Sequence, residues 1–256
     1  MIGVMASGTR REGIVDRLRR DGRVDVGELA AEFATSEVTV RRDLDVLADN
    51  GVLRRVRGGA VSLLMRGEEL PFAMRQAESA GAKERMAAVA AAMVRDGEAV
   101  TVDSGTTGLA VARALVGRRL TVMPLSLHAA RALAASPSIQ LMLPGGTVRF
   151  GEGSLVGPMA EASLAALRFD TAFVTCCGLS LDSGVTAHDV QDAAVKRIAM
   201  AAASRVVLLA EGAKFARTAL AVVCPASQVD VVVTDQAAPE EAVTRLRAAG
   251  VEVLRA

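Results

Sequence analysis

The sequence predicts an α/β chain in two parts: a small N-terminal unit of three helices and a hairpin, then a larger domain built on a mostly parallel sheet. Three observations predict it. Apolar residues recur at helical spacing through the first fifty positions and are followed by a glycine-centred hairpin. Beyond residue 82, short apolar runs alternate with helical segments, the pattern of strands covered on both faces. The composition is 51% hydrophobic with no Trp or Tyr, so the core is built from small aliphatics that suit such a sheet.

In the first part, Ile14, Val15 and Leu18 give an amphipathic helix that stops at Asp21-Gly22. Val26, Leu29, Ala30 and Phe33 give a second, shorter one. Ser36 is placed to cap a third helix over 37–49, which ends at Asn50-Gly51, a pair suited to a left-handed C-terminal cap. Residues 52–56, Arg57-Gly58-Gly59 and 60–62 then read as strand, tight turn and strand. Two helices and a turn followed by a hairpin make a winged helix-turn-helix, expected over 7–62.

Residues 64–81 lack periodicity, contain Pro71 and read as the linker, which we bound at 63–81. The second domain is expected over 82–256. Its helices are expected near 83–94, after Thr107, over 126–135, around 189–203 and from Glu240. Its strands are expected at 99–102, 120–123, 139–143, 171–175, 206–210 and 229–234, with a last one near the C-terminus.

Composition excludes several classes. Cys176, Cys177 and Cys224 are odd in number, without CxxC spacing or a nearby His cluster, so neither a disulfide framework nor a metal site is expected. The first eight residues run into Arg10-Arg11 without a signal-peptide core, and no apolar run approaches the ~20 residues of a membrane span. A cytoplasmic protein without membrane contact is expected. The net charge of +1 is uninformative, but Arg54, Arg55, Arg57 and Arg66 cluster between residues 50 and 67 without an acidic neighbour.

On a helical wheel, Val40, Leu44 and Leu47 bury one face of the third helix, and Val38, Thr39, Arg42 and Asp45 point away. Thr39 and Arg42 reach base edges or phosphates in a major groove, Val38 suits a thymine methyl, and Arg41 suits a phosphate. An amphipathic helix with two arginines is ordinarily just a solvated helix. What changes the reading is the basic hairpin behind it, whose Arg54, Arg55 and Arg57 are placed to grip phosphates as a wing. The run from Ser36 to Leu44, with Leu47, Gly51, Leu53, Arg55 and Gly58-Gly59-Ala60, resembles the signature of the DeoR family of bacterial regulators. It departs at Thr35, where the family usually has Val, and at Arg57, where it usually has His.

In the second domain, strand 99–102 runs into Asp103, Ser104, Gly105, Thr106 and Thr107 and then a helix. Free N–H groups at that helix start, two hydroxyls and a glycine make a phosphate cradle, although the same composition is common capping chemistry. In a doubly wound sheet the loops at Gly145-Gly146, Gly178-Leu179-Ser180 and 211–215 converge on it. Lys196 and Lys214 are candidate cations, with a surface ion pair the plainer reading of each. His188 reads as a solvated loop histidine, and Cys176-Cys177 as buried small side chains.

These elements resemble the DeoR sensor domain, similar in fold to ribose-5-phosphate isomerase, and the resemblance implies binding of phosphorylated sugars or related metabolites. Pro124-Leu125 and Glu211 depart from the family's Thr-Asn and Asp. The expected function is therefore a sequence-specific transcription regulator of a carbohydrate operon, a repressor by resemblance, with operator DNA and a phosphorylated sugar as partners, no cofactor, and a homo-oligomeric state. The rival is a sugar-phosphate isomerase fused to a DNA-binding domain. That chemistry needs a carboxylate base beside the substrate carbon, and Asp103, Asp182, Asp189 and Glu211 form no recognisable acid/base pair in the sequence.

Overall fold

A computed structural model describes residues 7–63, 70–215 and 217–256. The chain divides into two compact units, Met1–Glu78 and Ser79–Ala256. Arg66 and residues 64–69 of the expected linker lie outside the described residues.

The first unit runs α1 (Ser7–Asp21), β1 (Arg23–Asp25), α2 (Val26–Glu32), α3 (Glu37–Asp49), β2 (Leu53–Val56), β3 (Gly59–Ser62) and α4 (Phe72–Ala77). Asp25 caps α2, accepting from the N–H groups of Gly27 and Glu28, and Ser36 caps α3, accepting from Thr39 N–H. Between them Ala34 holds φ 48°, left-handed backbone that lets the chain turn within a few residues. Ile14, Leu18, Leu29, Val40, Leu44 and Leu47 meet in one core. The hairpin gains a third strand that the sequence hid, in the order β1-β3-β2. Gly58 makes the turn at φ 79°, whereas Gly59 is needed for a different reason. A Cβ on Gly59 would lie 2.0 Å from the Val24 carbonyl oxygen, so only glycine lets β3 close on β1. The segment read as irregular linker contains α4, and Leu70 is buried in this unit's core with Met74 packed against it.

The second unit begins with α5 (Ala80–Ala92), β4 (Ala99–Val102), α6 (Gly105–Ala114), β5 (Leu120–Pro124), α7 (Leu127–Leu133), β6 (Ile139–Leu141), β7 (Thr147–Val148) and β8 (Leu155–Val156). It continues with α8 (Pro158–Ala165), β9 (Phe169–Thr175), β10 (Gly178–Ser180), β11 (Gly184–Ala187), α9 (Val190–Ala201) and β12 (Ala203–Leu209). Then come a 3-10 turn at Gly212–Lys214, β13 (Ala221–Cys224), a second at Ala226–Gln228, β14 (Val231–Thr234), α10 (Glu240–Ala248) and β15 (Glu252–Arg255). Seven strands form the parallel sheet in the order β15-β14-β12-β9-β4-β5-β6. The chain walks outward from β4 in one direction and from β9 in the other. The switch point therefore lies between β4 and β9, where a ligand crevice opens in sheets of this type.

Two smaller sheets correct the sequence reading. Gly178-Leu179-Ser180, read as a loop, is β10 of an antiparallel sheet ordered β10-β11-β13, and residues 147–156 form the β7-β8 hairpin. Valines and alanines fill the cores on both faces of the main sheet, as the composition requires.

Candidate functional site

On the first unit, α3 turns Val40, Leu44 and Leu47 inward and leaves Ser36, Val38, Arg41 and Arg42 exposed, with Thr39 half-buried. Val38 is 55% exposed on the same face. The arginines divide into two groups. Arg42, Arg54 and Arg57 are exposed and make no ion pair or side-chain hydrogen bond among the described residues. Arg41 instead pairs with Glu37 one turn back, at 2.6 Å. Arg55 reaches from β2 to α3, donating to Asp45 Oδ1 at 2.8 Å and to the Arg41 carbonyl oxygen at 3.0 Å. It latches the hairpin to α3. Behind α3, Arg10 Nε donates to Asp43 Oδ2 at 2.6 Å, with both side chains buried.

On the second unit, the ends of β4 and β9 meet at the switch point. Asp103 N–H donates to the Phe173 carbonyl at 2.9 Å, and Asp103 Oδ2 accepts from Thr175 N–H at 2.8 Å and from the Thr175 hydroxyl at 2.9 Å. Lys196, from α9, points its ammonium at the same oxygen and lies 3.2 Å from Asp192 Oδ2. The ion pair expected at the surface for Lys196 is in fact buried, with its side chain 3% exposed. Burial pushes the Lys196 ammonium down, but the Asp103 and Asp192 carboxylates outweigh it and hold the group well above its ordinary 10.5. Asp192 is raised, by burial first, with Lys196 opposing and Asp103 reinforcing.

The helix that starts here has an open end. Asp25, Ser36, Ser126 and Asp189 each cap their helices with a side-chain oxygen, but Ser104, the N-cap of α6, makes no such bond. Its hydroxyl donates instead to Asp192 Oδ1 at 3.2 Å. The first N–H groups of α6 have no intrahelical partner to receive them. Gly105 opens the turn at φ 82°, and Gly108 lets α6 press against the end of β4, because a Cβ there would lie 2.1 Å from the Asp103 carbonyl oxygen. Thr106 and Thr107 are buried beside it.

Around this centre, Thr107 Oγ1 donates to Glu211 Oε1 at 3.4 Å, and Lys83 of α5 lies 3.9 Å from the same oxygen. Burial raises the Glu211 carboxyl, against the pull of Lys83 and Lys214. Arg149 Nε, three residues beyond Gly145-Gly146, lies 3.3 Å from Asp189 Oδ2. The structure thus brings these residues to the start of α6 as a network in two parts, Asp103, Ser104 and Lys196 with Asp192, and Thr107 and Glu211 with Lys83 and the charge of Lys214. Gly146 and Gly178 serve close packing: a Cβ would meet the Val156 carbonyl oxygen at 2.5 Å in one and the Arg217 carbonyl oxygen at 2.1 Å in the other. A cavity of about 240 Å³ touches the expected loops through Leu179, Ser180 and Phe215, and is otherwise lined by Leu181, Asp182, Ala242, Arg245 and Leu246, but includes none of residues 103–107, Gly145, Gly146, Gly178, Lys196 or Lys214. Cys176 is buried and Cys177 only partly so.

Lys83, Arg149, Thr175 and Asp192 went unread in the sequence, yet a signal was there. Of the 30 lysines and arginines only three are lysines, and all three, Lys83, Lys196 and Lys214, stand in this network. A compact ammonium fits between two buried carboxylates where the broad planar guanidinium does not.

Among the described residues no helix is long and apolar enough to cross a membrane. Residues 10–64 match the DeoR-like helix-turn-helix domain, and residues 78–236 match the DeoR C terminal sensor domain. The putative aga operon transcriptional repressor of Escherichia coli O157:H7 is 31% identical over 98% of this chain and 94% of its own length. The glycerol-3-phosphate regulon repressor of Escherichia coli K12 is 30% identical over 90% of this chain and 91% of its own. The lactose phosphotransferase system repressor of Lactococcus lactis subsp. lactis is 33% identical over 88% and 90%. The chain belongs to the DeoR family of transcription regulators, joining a helix-turn-helix DNA-binding domain to a C-terminal sensor domain.

Proposed function

We propose that this regulator represses a carbohydrate operon in the cytoplasm and that a phosphorylated sugar or polyol, bound at the start of α6, changes its affinity for operator DNA. The observation that carries the ligand reading is the uncapped N-terminus of α6. Ser104 is turned away to Asp192, so the N–H groups at Gly105, Thr106 and Thr107 remain available to phosphate oxygens in the field of the helix dipole. The carboxylates and hydroxyls of Asp103, Thr175, Asp192 and Glu211 offer acceptors and donors for sugar hydroxyls, and Lys214 supplies positive charge. The relatives named for glycerol-3-phosphate and for a lactose phosphotransferase system support this ligand class.

Calorimetry on the full chain with a panel of sugar and polyol phosphates tests it. One member is expected to bind, and to raise the melting temperature by mass action. Its unphosphorylated parent should bind far more weakly. Gly105→Ala, which forces an alanine to φ 82°, should weaken binding at least tenfold while leaving operator affinity in the absence of ligand unchanged. Equal binding of the phosphorylated and unphosphorylated compounds would remove the phosphate cradle.

On the DNA side, Arg42 reads a base edge beside Val38 and Thr39, Arg54 and Arg57 hold phosphates, and the paired Arg41 and Arg55 act through the shape of the α3–wing junction. Arg42→Ala is expected to cost about 1–3 kcal/mol of operator binding and to relax base preference at one position. Arg54→Ala and Arg57→Ala should weaken all sequences alike and flatten the salt dependence. Fluorescence anisotropy against operator and scrambled duplexes at two salt concentrations separates these outcomes. A single winged domain covers little DNA, so the working form is a homo-oligomer that sets two heads on paired half-sites.

A further inference from the structure

Glu211 stands between two helix starts. On one side Thr107 Oγ1, in the first turn of α6, donates to Glu211 Oε1 at 3.4 Å, and on the other Lys83, in the first turn of α5, lies 3.9 Å from that same oxygen. Thr107 and Lys83 are both buried, so water does not readily take the place of either partner. The groups facing the carboxylate are Thr107 from α6, Lys83 from α5, Lys214 from the 3-10 turn and Asp235 from the end of β14. Burial already raises the Glu211 carboxyl, Lys83 and Lys214 oppose the rise, and Asp235 reinforces it.

The start of α5 is also the start of the second unit, whose boundary falls between Glu78 and Ser79. Ser79 holds left-handed backbone, φ 47° and ψ 31°, without a side-chain cap bond, and Lys83 N–H closes the first turn on the Ser79 carbonyl at 3.1 Å. A serine keeps that conformation only where its neighbours hold it. Lys83 therefore fastens this turn by its backbone and pairs with Glu211 by its side chain. Just before it in the chain, Glu78 N–H donates to the Met74 carbonyl at 3.2 Å, and Met74 packs on the core of the DNA-binding unit. A change at Lys83 has only the short run from Met74 to Ser79 to cross.

We propose that Glu211 relays the state of the ligand site to the DNA-binding unit: a phosphate at the α6 start takes the Thr107 hydroxyl, the carboxylate takes up a proton from solvent, and its pairing with Lys83 is lost, which frees the first turn of α5. The inference rests on the reading of the α6 start as a phosphate site. A phosphate dianion is a further negative charge beside a buried carboxylate that already has Asp235 near it, and protonating one of the like charges relieves the repulsion. The same phosphate claims the hydroxyl that stabilised the charged form. A neutral carboxyl attracts an ammonium far less than a carboxylate does, so Lys83 is held without ligand and let go with it. That is the differential contact a ligand must have with two states in order to shift them.

Calorimetry and operator anisotropy on the full chain test it, with inorganic phosphate and glycerol 3-phosphate as probes and Glu211→Gln, Lys83→Met and Lys214→Met as variants. Circular dichroism and melting establish that each is folded. Glu211→Gln is isosteric and keeps an oxygen for Thr107, so the test survives a failure of Lys83→Met to fold. Titrations in two buffers of different ionisation enthalpy, at slightly acidic pH, give the protons exchanged on binding. The wild type should take up more than Glu211→Gln, which has no carboxyl to protonate. Saturating probe should change the operator affinity of the wild type roughly 5- to 150-fold. Glu211→Gln and Lys83→Met should sit at that changed affinity with or without probe. Lys214 faces Glu211 from the ligand loop and not from α5, so Lys214→Met should bind probe more weakly yet respond at saturation as the wild type does. Equal proton uptake by wild type and Glu211→Gln, a wild-type response in Lys83→Met, or a response lost as completely in Lys214→Met would overturn the relay and leave the phosphate site standing. A wild type that binds neither probe, or binds one without a change in operator affinity, removes the functional reading and the relay with it.

Discussion

Lys196→Met is expected to destabilise the sensor domain by about 3–5 kcal/mol, because it leaves Asp103 and Asp192 buried together without their shared cation. Methionine keeps most of the volume, so the loss reads charge and not a cavity. Against a typical domain stability of about 5–15 kcal/mol, that is a large fraction. Thr175 and the Ser104 N–H still bond Asp103, but neither neutralises it.

The pH dependence carries a sign that distinguishes this cause from generic damage. In the wild type, Lys196 is held above its ordinary value, so the stability it contributes is fully present below about pH 10.5 and is lost as pH rises beyond it. Asp192 works in the opposite sense for a carboxyl. Its folded value is raised above 3.8, so the folded state holds a proton that the unfolded chain has released, and stability falls as pH rises above that value. Removing the ammonium takes away the main force lowering Asp192. The deficit of Lys196→Met should therefore be greatest at neutral pH and shrink as the solution is acidified toward pH 4. Adding Asp192→Asn should recover part of it at neutral pH. Urea titrations of wild type, single and double variants measure all of this, and a deficit independent of pH would refute the charge explanation.

How far the sequence could be read follows from how local each determinant is. Helix α3 was legible to its ends because its signals are adjacent to it: Ser36 before, Asn50-Gly51 after, and three apolar residues on one face. The strands at Ala99–Val102 and Leu120–Pro124 announced themselves as apolar runs bounded by turns. Strand β10 did not, because it is three residues long, starts with glycine and owes its pairing to Thr186 and Val185 across a turn. The network at Lys196 was half legible. Asp192 lies one helical turn away, but Asp103 lies 93 residues away, and only the sheet order brings it close. For the same reason Arg54 and Arg55 look equivalent in sequence, while β2 sends one to solvent and the other to Asp45.

Asp43→Leu is the second large effect expected, and it separates folding of the DNA-binding head from contact with DNA. Asp43 lies on the buried face of α3, one residue from Arg42 on the exposed face, and its carboxylate accepts from Arg10 at 2.6 Å across to α1. Arg11 lies 3.6 Å from the other oxygen and can turn to water, but Arg10 is 5% exposed and has no such freedom. Losing the carboxylate takes a 2.6 Å ion pair from a buried guanidinium, a change worth about 3–5 kcal/mol in a small unit with little reserve. Operator binding should then fall with the fraction of folded head, equally for operator and scrambled duplexes, and should return when stabilising osmolyte restores the fold. Arg42→Ala should behave in the opposite way: an unchanged melting transition, a loss confined to the operator, and no rescue by osmolyte. Melting curves and anisotropy on the two variants, read side by side, decide it. If Asp43→Leu melts like the wild type, the buried pair does not hold α1 to α3, and the orientation of the recognition helix must come from the apolar contacts of Val40, Leu44 and Leu47 alone.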